Sequence, residues 1–136
     1  MHTAEHILNG TMVKMFGCKR SENCHIEKKK SKCDFILEKE PTSQQIKDLE
    51  TKINEVIKLN LPVSFKFVDY KTASQDFKLR IKENDNQPVR IISVGDYDHC
   101  PCIGEHVQNT SEIGTFVITT TTFENNIFRI RFKLNP

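Results

Sequence analysis

The sequence has no long apolar run, no internal repeat and no low-complexity tract, and these absences remove whole classes of protein. A membrane-spanning helix needs about 20 consecutive apolar residues, and no stretch of this chain comes near that length. The first residues also lack the basic segment that opens a secretory signal. We therefore expect a cytoplasmic protein that has no membrane partner.

The chain has no marked excess of charge of either sign. Its 20 basic and 18 acidic residues leave a formal net charge of +2. Such mild basicity permits contact with nucleic acid without requiring it. The 136 residues, of which 37% are hydrophobic, are enough to form a hydrophobic core. We expect a single globular domain over residues 1–136.

Disulfides are not expected, because the five cysteines are odd in number and no secretory signal precedes them. Cys18, Cys24 and Cys33 are expected to behave as small buried hydrophobic residues. Cys100 and Cys102 differ in their surroundings, since they lie in the segment DYDHCPCIGEH among histidines and acidic residues. That segment is the first candidate for a functional site.

The spacing of apolar residues predicts two long helices. The first covers residues 3–16 and ends at Gly17. The second lies in PTSQQIKDLETKINEVIKLN, where a cap at Thr42 or Ser43 precedes an apolar stripe at helical spacing. A shorter helical piece is expected near residues 73–78.

Alternating apolar and polar residues predict strands in most of the remaining chain. Two short strands are expected at 22–27 and 32–38, and LPVSFKFVDY is expected to turn its first valine and both phenylalanines inward. VRIISVG predicts another strand, and TFVITTTTF and IFRIRFKL are expected to pair as a hairpin across Asn125–Asn126. This mixture of elements indicates one α+β domain.

Two histidines four residues apart, His2 and His6, share one face of the first helix with Gly10. Glycine inside a helix costs about 1 kcal/mol relative to alanine, so Gly10 indicates a close approach to the backbone. Zinc needs three or four nitrogen or sulfur ligands. Cys102 and His106, also four apart, supply thiolate and imidazole, which favour zinc over magnesium or calcium. We predict a zinc site formed by these two pairs.

The first helix also matches a second zinc motif. His2, Glu5 and His6 fit the H-x-x-E-H signature, in which the glutamate is the general base of a protease. On a helix, however, Glu5 points about 100° away from His6. A thiolate and an imidazole as further ligands would also leave the metal less electrophilic than such a protease needs. The protease alternative is therefore disfavoured.

Three segments of the chain resemble a known family. HTAEHIL, CIGEHVQNTSEIG and RIRFKL, in that order, are similar to the editing domain of alanyl-tRNA synthetase and its freestanding AlaX-type relatives. The editing domain of threonyl-tRNA synthetase shares the metal pattern, whereas TSEIG and the RI-x-F ending favour the alanyl branch. The resemblance extends over nearly the whole chain.

This resemblance implies a two-layer α+β fold, with a mostly antiparallel sheet packed against two main helices. It implies one zinc ion on the two residue pairs named above. It also implies hydrolysis of the ester that joins serine or glycine to the acceptor end of tRNA(Ala). A synthetase pocket shaped for alanine cannot exclude glycine strongly, because one methyl group is worth only about 1–3 kcal/mol. A second site that hydrolyses the wrongly formed ester would correct this mistake.

Within this resemblance, the candidate substrate contacts are Thr3, Asn23, His25 and Glu105. Thr3 lies beside the zinc ligands, although it could equally cap the helix. Asn23 and His25 occupy the region that supplies pocket residues in the family, although both could be ordinary surface residues. Glu105 stands where many members carry the threonine of Cys-Gly-Gly-Thr-His. No side chain is singled out as the catalytic base.

Two groups of basic residues are candidate contacts for tRNA phosphates. The first consists of four lysines around the second strand: Lys28, Lys29, Lys30 and Lys32. The second is the basic row of the last strand: Arg129, Arg131 and Lys133. Each group could instead be an ordinary solvated turn or strand face.

Two functions remain open from the sequence. The first is a hydrolase that edits mischarged tRNA, in which zinc either activates the ester or only shapes the pocket. The second is a zinc-stabilised RNA- or partner-binding domain without activity. An open position on the zinc would favour the hydrolase, because four protein ligands normally form a closed structural site.

Overall fold

Two helices form the α part of this computed structural model, which describes residues 1–69, 88–102, 104 and 106–135. Helix α1 is His2–Phe16 and helix α2 is Ser43–Lys58, so both long helices expected from the sequence are confirmed. The helical piece expected near residues 73–78 lies outside the described residues. No helix in the described part is long and apolar enough to cross a membrane.

The strands of the described chain are all antiparallel and form two sheets. Their bounds, in chain order, are Asn23–Ile26 (β1), Ser31–Ile36 (β2), Val63–Val68 (β3), Val89–Val94 (β4), Asp98–Pro101 (β5), Thr115–Glu124 (β6) and Ile127–Asn135 (β7). One sheet has the order β1-β2-β7-β6, and the other has the order β3-β4-β5. The expected α+β class, with antiparallel sheet packed against two helices, is confirmed.

Local sequence signals set the ends of the helices and the main turn. Gly17 ends α1 in the left-handed conformation at φ 66°, which glycine adopts without strain. At the start of α2, Thr42 and Gln45 form a capping box, in which each side chain accepts from the other's backbone N–H. Asn125 and Asn126 join β6 to β7 at φ 54° and 62°, as a tight hairpin requires. That hairpin is also confirmed.

The hydrophobic core lies between the two helices and one face of the four-stranded sheet. Phe116 and Phe132 stack there with their ring centroids 4.8 Å apart. From α2, Leu49 and Ile53 are completely buried against this layer. Burial of such side chains stabilises each by about 1.5–3 kcal/mol relative to exposure, so this layer is the main source of stability.

Helix α1 is enclosed on several sides, because it contacts α2 as well as β4 and β5. The buried part of α1 includes polar residues, and these have partners outside the helix. The hydroxyl groups of Thr11 and Tyr97 lie 2.6 Å apart, and Asn9 Oδ1 accepts the backbone N–H of Ser21 at 2.7 Å. Buried polar groups need such partners. This polar side of α1 positions the site described below.

One expectation about β3 is wrong. Its alternation predicts that Val63, Phe65 and Phe67 face inward, yet Phe65 and Phe67 are 63% and 60% exposed. Among the described strands β3 pairs with β4 alone, so it is the edge of its sheet. The buried apolar residues of this sheet, Ile91, Ile92 and Val94, lie on β4 instead. A period of two shows that the faces of a strand differ, but not that one of them is covered.

Candidate metal centre

His6 lies on the buried polar side of α1, with only 1% of its surface exposed. Its ring Nδ1 donates a hydrogen bond to Asp98 Oδ2 at 3.2 Å, at the start of β5. This bond fixes the orientation of the imidazole and leaves Nε2 as the atom available to a metal ion.

Arg90 on β4 holds the loop that carries Cys102. Its Nε donates to the carbonyl oxygen of Cys102 at 2.9 Å, and its Nη2 donates to that of Gly104 at 2.5 Å. The Cys102 N–H in turn bonds to the Arg90 carbonyl oxygen at 3.2 Å. The Gly104 N–H donates to Cys102 Sγ at 3.3 Å, which orients the sulfur. The loop conformation therefore depends on one arginine in an otherwise apolar strand.

His106 returns from this loop to face α1. Its Nδ1 and the hydroxyl of Thr3 are hydrogen-bonded at 2.9 Å, and its Nε2 lies 3.3 Å from Cys102 Sγ. The rings of His6 and His106 meet edge to face, with centroids 4.9 Å apart. Thr3, predicted as a substrate contact, is thus a buried partner of His106.

His6, Cys102 and His106 form a group whose potential ligand atoms all lie within 4.8 Å of one another. In a tetrahedral zinc site, Zn–N and Zn–S bonds of ordinary length place nitrogen and sulfur about 3.6 Å apart. The 3.3 Å between His106 Nε2 and Cys102 Sγ is close to that separation. Two imidazoles and a thiolate are also a donor set that suits zinc. These residues can therefore hold a metal ion.

His2, the fourth predicted ligand, lies beside this group rather than within it. Its ring centroid is 6.1 Å from that of His106. Its ring also packs on Gly104 so closely that a Cβ at Gly104 would lie 2.7 Å from His2 Cγ. The structure thus brings three of the four predicted ligands together and places the fourth next to them.

Hydrogen bonds and nearby charges favour a proton on His6 in the metal-free protein. Burial acts to lower the pKa of His6, but hydrogen bonds with Asp98 and Cys102 and the charge of Glu5 outweigh it and raise the pKa to about 9. A metal ion binds neutral imidazole, so it must displace this proton.

The surroundings of the other two donors favour the forms that bind metal. Burial and the neighbouring positive charges, chiefly that of His6, lower the pKa of His106 to about 3, so its ring is neutral. Burial acts to raise the pKa of Cys102, but hydrogen bonds from His6 and from the Gly104 N–H hold it below the usual thiol value. Thiolate and neutral imidazole are the ligand forms that zinc requires.

Asp98 joins the metal group to the rest of the fold. Besides His6, it binds the guanidinium of Arg20, whose Nη1 and Nη2 lie 2.5 and 3.2 Å from the two carboxylate oxygens. A Cβ at Gly10 would lie 3.1 Å from Asp98 Oδ1 and 3.4 Å from the ring of Tyr97. The close approach that Gly10 indicated is therefore that of Asp98 and Tyr97.

Both carboxylate oxygens of Glu5 have close neighbours. Its Oε1 accepts hydrogen bonds from Asn9 Nδ2 at 2.9 Å and from Cys24 Sγ at 3.5 Å, and its Oε2 lies 3.9 Å from His6 Nε2. The carboxylate thus lies between the metal group and β1. The H-x-x-E-H alternative stays disfavoured on the sequence argument given above.

The remaining predicted substrate contacts are not brought to the metal group. Asn23 Nδ2 donates to Asp34 Oδ2 at 2.9 Å, and exposed His25 pairs with Glu27 at 2.7 Å. Asn23 and His25 flank Cys24 on β1, and the Cys24 side chain points inward. Successive side chains of a strand point to opposite faces, so Asn23 and His25 point to the outer face of the sheet. Glu105 lies outside the described residues.

The predicted tRNA contacts lie on the outer surface of the four-stranded sheet and its first turn. Lys28, Lys29 and Lys30 are exposed between β1 and β2, and Lys32 is partly exposed within β2. In the second basic row, Arg129 is engaged by Asp34 through bonds of 2.7 and 2.9 Å.

A cavity of about 420 Å³ opens beside the metal group. His106 and Gly104 form one wall, and Phe65 and Arg90 contribute the opposite side from β3 and β4. Ligand sites of proteins are commonly about 300–1,000 Å³, so this space is adequate for a small acyl group with part of a sugar.

Sequence reasoning missed the residues that position the ligands, namely Asp98, Arg20 and Arg90. Two signals were present in the sequence. Asp98 stands four residues before Cys102, and Arg90 is a lone charge within the apolar run VRIISV. Neither signal identifies the residue that would be contacted. In the case of Asp98, the contacts join segments that lie more than 70 residues apart in the chain.

Comparison with known proteins identifies relatives for nearly the whole chain. Residues 89–131 match the family described as the threonyl and alanyl tRNA synthetase second additional domain. The chain is 33% identical over 132 residues to an alanine–tRNA ligase of Buchnera aphidicola and 29% identical over 137 residues to one of Methanococcus vannielii. These matches cover 95% and 97% of the chain.

The chain spans about 15% of the length of these ligases. A third relative, the alanine–tRNA ligase of Petrotoga mobilis, is 31% identical over 132 residues and covers 95% of the chain. The extent of the matches agrees with the resemblance noted from HTAEHIL, CIGEHVQNTSEIG and RIRFKL. The chain therefore belongs to the family of the second additional domain of threonyl- and alanyl-tRNA synthetases.

Proposed function

We propose that this chain hydrolyses the ester bond of mischarged Ser-tRNA(Ala) or Gly-tRNA(Ala) at a zinc ion, in the cytoplasm. The observation that supports it is the meeting of the His6–Cys102–His106 group with the adjoining cavity of about 420 Å³. Relatives that are alanine–tRNA ligases point to tRNA as the partner. The amino acid would occupy the cavity and the acceptor end of the tRNA would cover its mouth.

Zinc held by His6, Cys102 and His106 would polarise the ester carbonyl and lower the pKa of a bound water. Three close protein donors leave a fourth position, as in catalytic zinc sites. His2 lies beside the group, so it either completes the coordination or yields to the substrate. Of the two roles considered from the sequence, this arrangement favours a zinc ion that takes part in the reaction.

The protein residues orient the ester and keep the ligands in place. His106, one of the three candidate ligands, also lines the cavity together with Gly104, so an ester bound there would lie beside the metal group. Arg90 holds this wall through its two carbonyl contacts. In the hydrolysis itself, water adds its hydroxyl group to the acyl carbon and its second proton goes to the ribose oxygen that leaves. The products are the free amino acid and intact tRNA.

The tRNA backbone would be held by charge. Lys28, Lys29 and Lys30 form an exposed cationic turn, which can neutralise phosphates as the acceptor stem approaches. This contact supplies affinity without sequence selectivity, so choice between tRNAs would come from elsewhere on the molecule.

The experiment that tests the proposal is a deacylation assay with Ser-tRNA(Ala), Gly-tRNA(Ala) and correctly charged Ala-tRNA(Ala). The native protein and Cys102→Ala would be compared, and the zinc content of both would be measured. Cys18→Ala is the matched control, since Cys18 lies at the end of α1 and outside the metal group. We expect loss of the serine or glycine ester with native protein and the control, and none with Cys102→Ala.

Intact esters in the presence of native, zinc-loaded protein would reject the hydrolase. The alternative function, a zinc-stabilised binding domain without activity, would then be preferred. Equal hydrolysis of all three esters would also reject an editing role, because an editing enzyme must spare Ala-tRNA(Ala).

A further inference from the structure

A second group of potential metal ligands lies next to the first. Glu5, Cys24 and Cys33 have one carboxylate oxygen and two sulfur atoms that all lie within 4.8 Å of one another. None of these residues has a role in the proposed hydrolysis. The sequence predicts that Cys24 and Cys33 are ordinary small hydrophobic residues. Two such residues would not be expected to lie next to the carboxylate of Glu5.

The fold builds this group from three elements, β1, β2 and α1. Cys24 and Cys33 are directly opposite partners in the antiparallel pair β1–β2, so their side chains share the same face of the sheet. That face turns toward α1, where Glu5 lies in the first turn. The two sulfur atoms lie within 4.8 Å of each other, and Cys24 Sγ donates to Glu5 Oε1 at 3.5 Å.

The distances match those of a metal site. Zn–S and Zn–O bonds of ordinary length, at the tetrahedral angle, place sulfur and oxygen about 3.6 Å apart. The 3.5 Å from Cys24 Sγ to Glu5 Oε1 agrees with that value. Ser21 Oγ lies 3.1 Å from the same sulfur, and its hydroxyl faces the group. Three donors are therefore in place without a large rearrangement of the backbone.

We propose that Glu5, Cys24 and Cys33 form a second zinc site, distinct from the site at His6, Cys102 and His106. Two thiolates select a thiophilic ion, which excludes magnesium and calcium. The carboxylate favours zinc over copper(I), which prefers sulfur ligands alone. A fourth ligand would be water, since three protein donors leave one position open.

Binding at this site is chemically balanced without an oxidant or reductant. The zinc ion replaces the protons of the two thiols, which pass to solvent, and the Glu5 carboxylate binds as it stands. Cys33 is fully buried, but Cys24 is only half-buried, and 18% of the Glu5 side chain is exposed. The ion therefore enters between Cys24 and Glu5.

Glu5 couples the two sites. Its Oε1 faces Cys24, while its Oε2 lies 3.9 Å from His6 Nε2. A zinc ion bound through Oε1 withdraws the negative charge that this carboxylate otherwise presents to His6. Occupancy of the second site is therefore expected to change the zinc affinity of the first.

The test is the zinc content of defined variants. The chain would be freed of metal with a chelator, reduced under nitrogen with a phosphine, loaded with excess zinc, desalted and analysed by mass spectrometry for metal. We expect two zinc ions per chain in the native protein and in the control Cys18→Ala. Cys24→Ala and Cys102→Ala should each retain one.

Spectra with Co²⁺ in place of zinc identify which site remains. In Cys102→Ala the first site has no sulfur, so we expect thiolate-to-cobalt absorption from Cys24 and Cys33. Adding Glu5→Gln to that variant should weaken the remaining absorption, and adding Cys24→Ala should remove it. Glu5→Gln keeps both thiols and the side-chain volume, so it tests the site even if a cysteine variant folds poorly.

Two results would overturn this proposal. One is a native protein that retains a single zinc ion, which Cys102→Ala loses. The other is Cys24→Ala with the same zinc content as the native protein. Neither result depends on hydrolysis of any tRNA, so the second site and the proposed function can fail separately.

Discussion

Asp98 is the residue on which the geometry of the metal centre most depends, because it contacts both His6 and Arg20. For Asp98→Asn we expect zinc affinity to fall by about 10–100-fold, as is typical when the partner of a metal-binding histidine is lost. A competitive titration against a zinc chelator would measure the change. Asp96→Asn, two residues away and exposed, is the matched control and should bind like the native protein.

Gly104 tests whether His2 takes part in metal binding. A methyl group at Gly104 would lie 2.7 Å from the His2 ring, so Gly104→Ala must displace that ring. If His2 is a ligand, Gly104→Ala and His2→Ala should lower zinc affinity to a similar extent. The double variant should then be little worse than either single one, because both act through the same side chain.

An additive loss in that double variant would contradict this account of Gly104. No loss in His2→Ala would assign the fourth position on the metal to water or substrate. Both measurements use zinc affinity alone and need no substrate.

At the scale of residues, the sequence identified the candidate metal ligands but not the residues that position them. The spacing of four between His2 and His6, and between Cys102 and His106, is a local property of the chain that can be read directly. The three members His6, Cys102 and His106 do meet in the fold. Their positioning contacts come from distant segments, so no spacing rule reveals them.

At the scale of elements, the pair Asp34 and Arg129 links the middle strands β2 and β7, where the two residues are direct partners. The hydrogen bonds from Arg129 are the main cause that holds the pKa of Asp34 below its usual value, while partial burial acts in the opposite direction. A lowered pKa in the folded state adds stability above the unfolded pKa of about 3.9, and that stability is lost as the pH falls further.

We therefore expect Asp34→Asn to lower the melting temperature by a few degrees at pH 7, since the charge and its bonds are lost. The difference from the native protein should shrink as the pH falls below about 3.9, where the native carboxyl also becomes protonated. Melting curves across pH 2–7 would measure this. Asp48→Asn, exposed on α2, serves as the control. A difference that stays constant with pH would contradict the argument.

The elements themselves were largely predictable. Caps and turns act over a few residues, so Gly17, Thr42 and Asn125–Asn126 could be placed from the sequence. Strands β1 and β2 lie within two residues of their expected ends. The burial of Phe65 and Phe67 was predicted wrongly, because burial depends on what packs against a strand and not on the strand's own pattern.

At the scale of the whole molecule, the metal centre connects the start of the chain with a loop about 100 residues later. His6 belongs to α1, while Cys102 and His106 follow β5. Zinc bound to the folded arrangement of these residues, as proposed, should stabilise the fold by about 2.7 kcal/mol at a free concentration 100 times its Kd. We expect zinc to raise the melting temperature and a chelator to lower it.

The rise in melting temperature caused by zinc must depend on the candidate ligands His6, Cys102 and His106. Cys102→Ala should lose most of the zinc-induced shift in melting temperature, whereas Cys18→Ala should retain it. A shift of the same size in both variants would place the stabilising ion elsewhere, and Glu5→Gln would then show whether the second site accounts for it.

The sequence by itself determined the helices, the hairpin and the α+β class, and it predicted the types of candidate metal ligand, since each depends on residues close together in the chain. Only the tertiary structure decided that Asp98 and Arg90 position those candidate ligands, that Phe65 and Phe67 are exposed, and that Glu5 turns toward Cys24 and Cys33. These features depend on how elements pack together once the core has formed. They are therefore set by the geometry of the fold and not by local spacing.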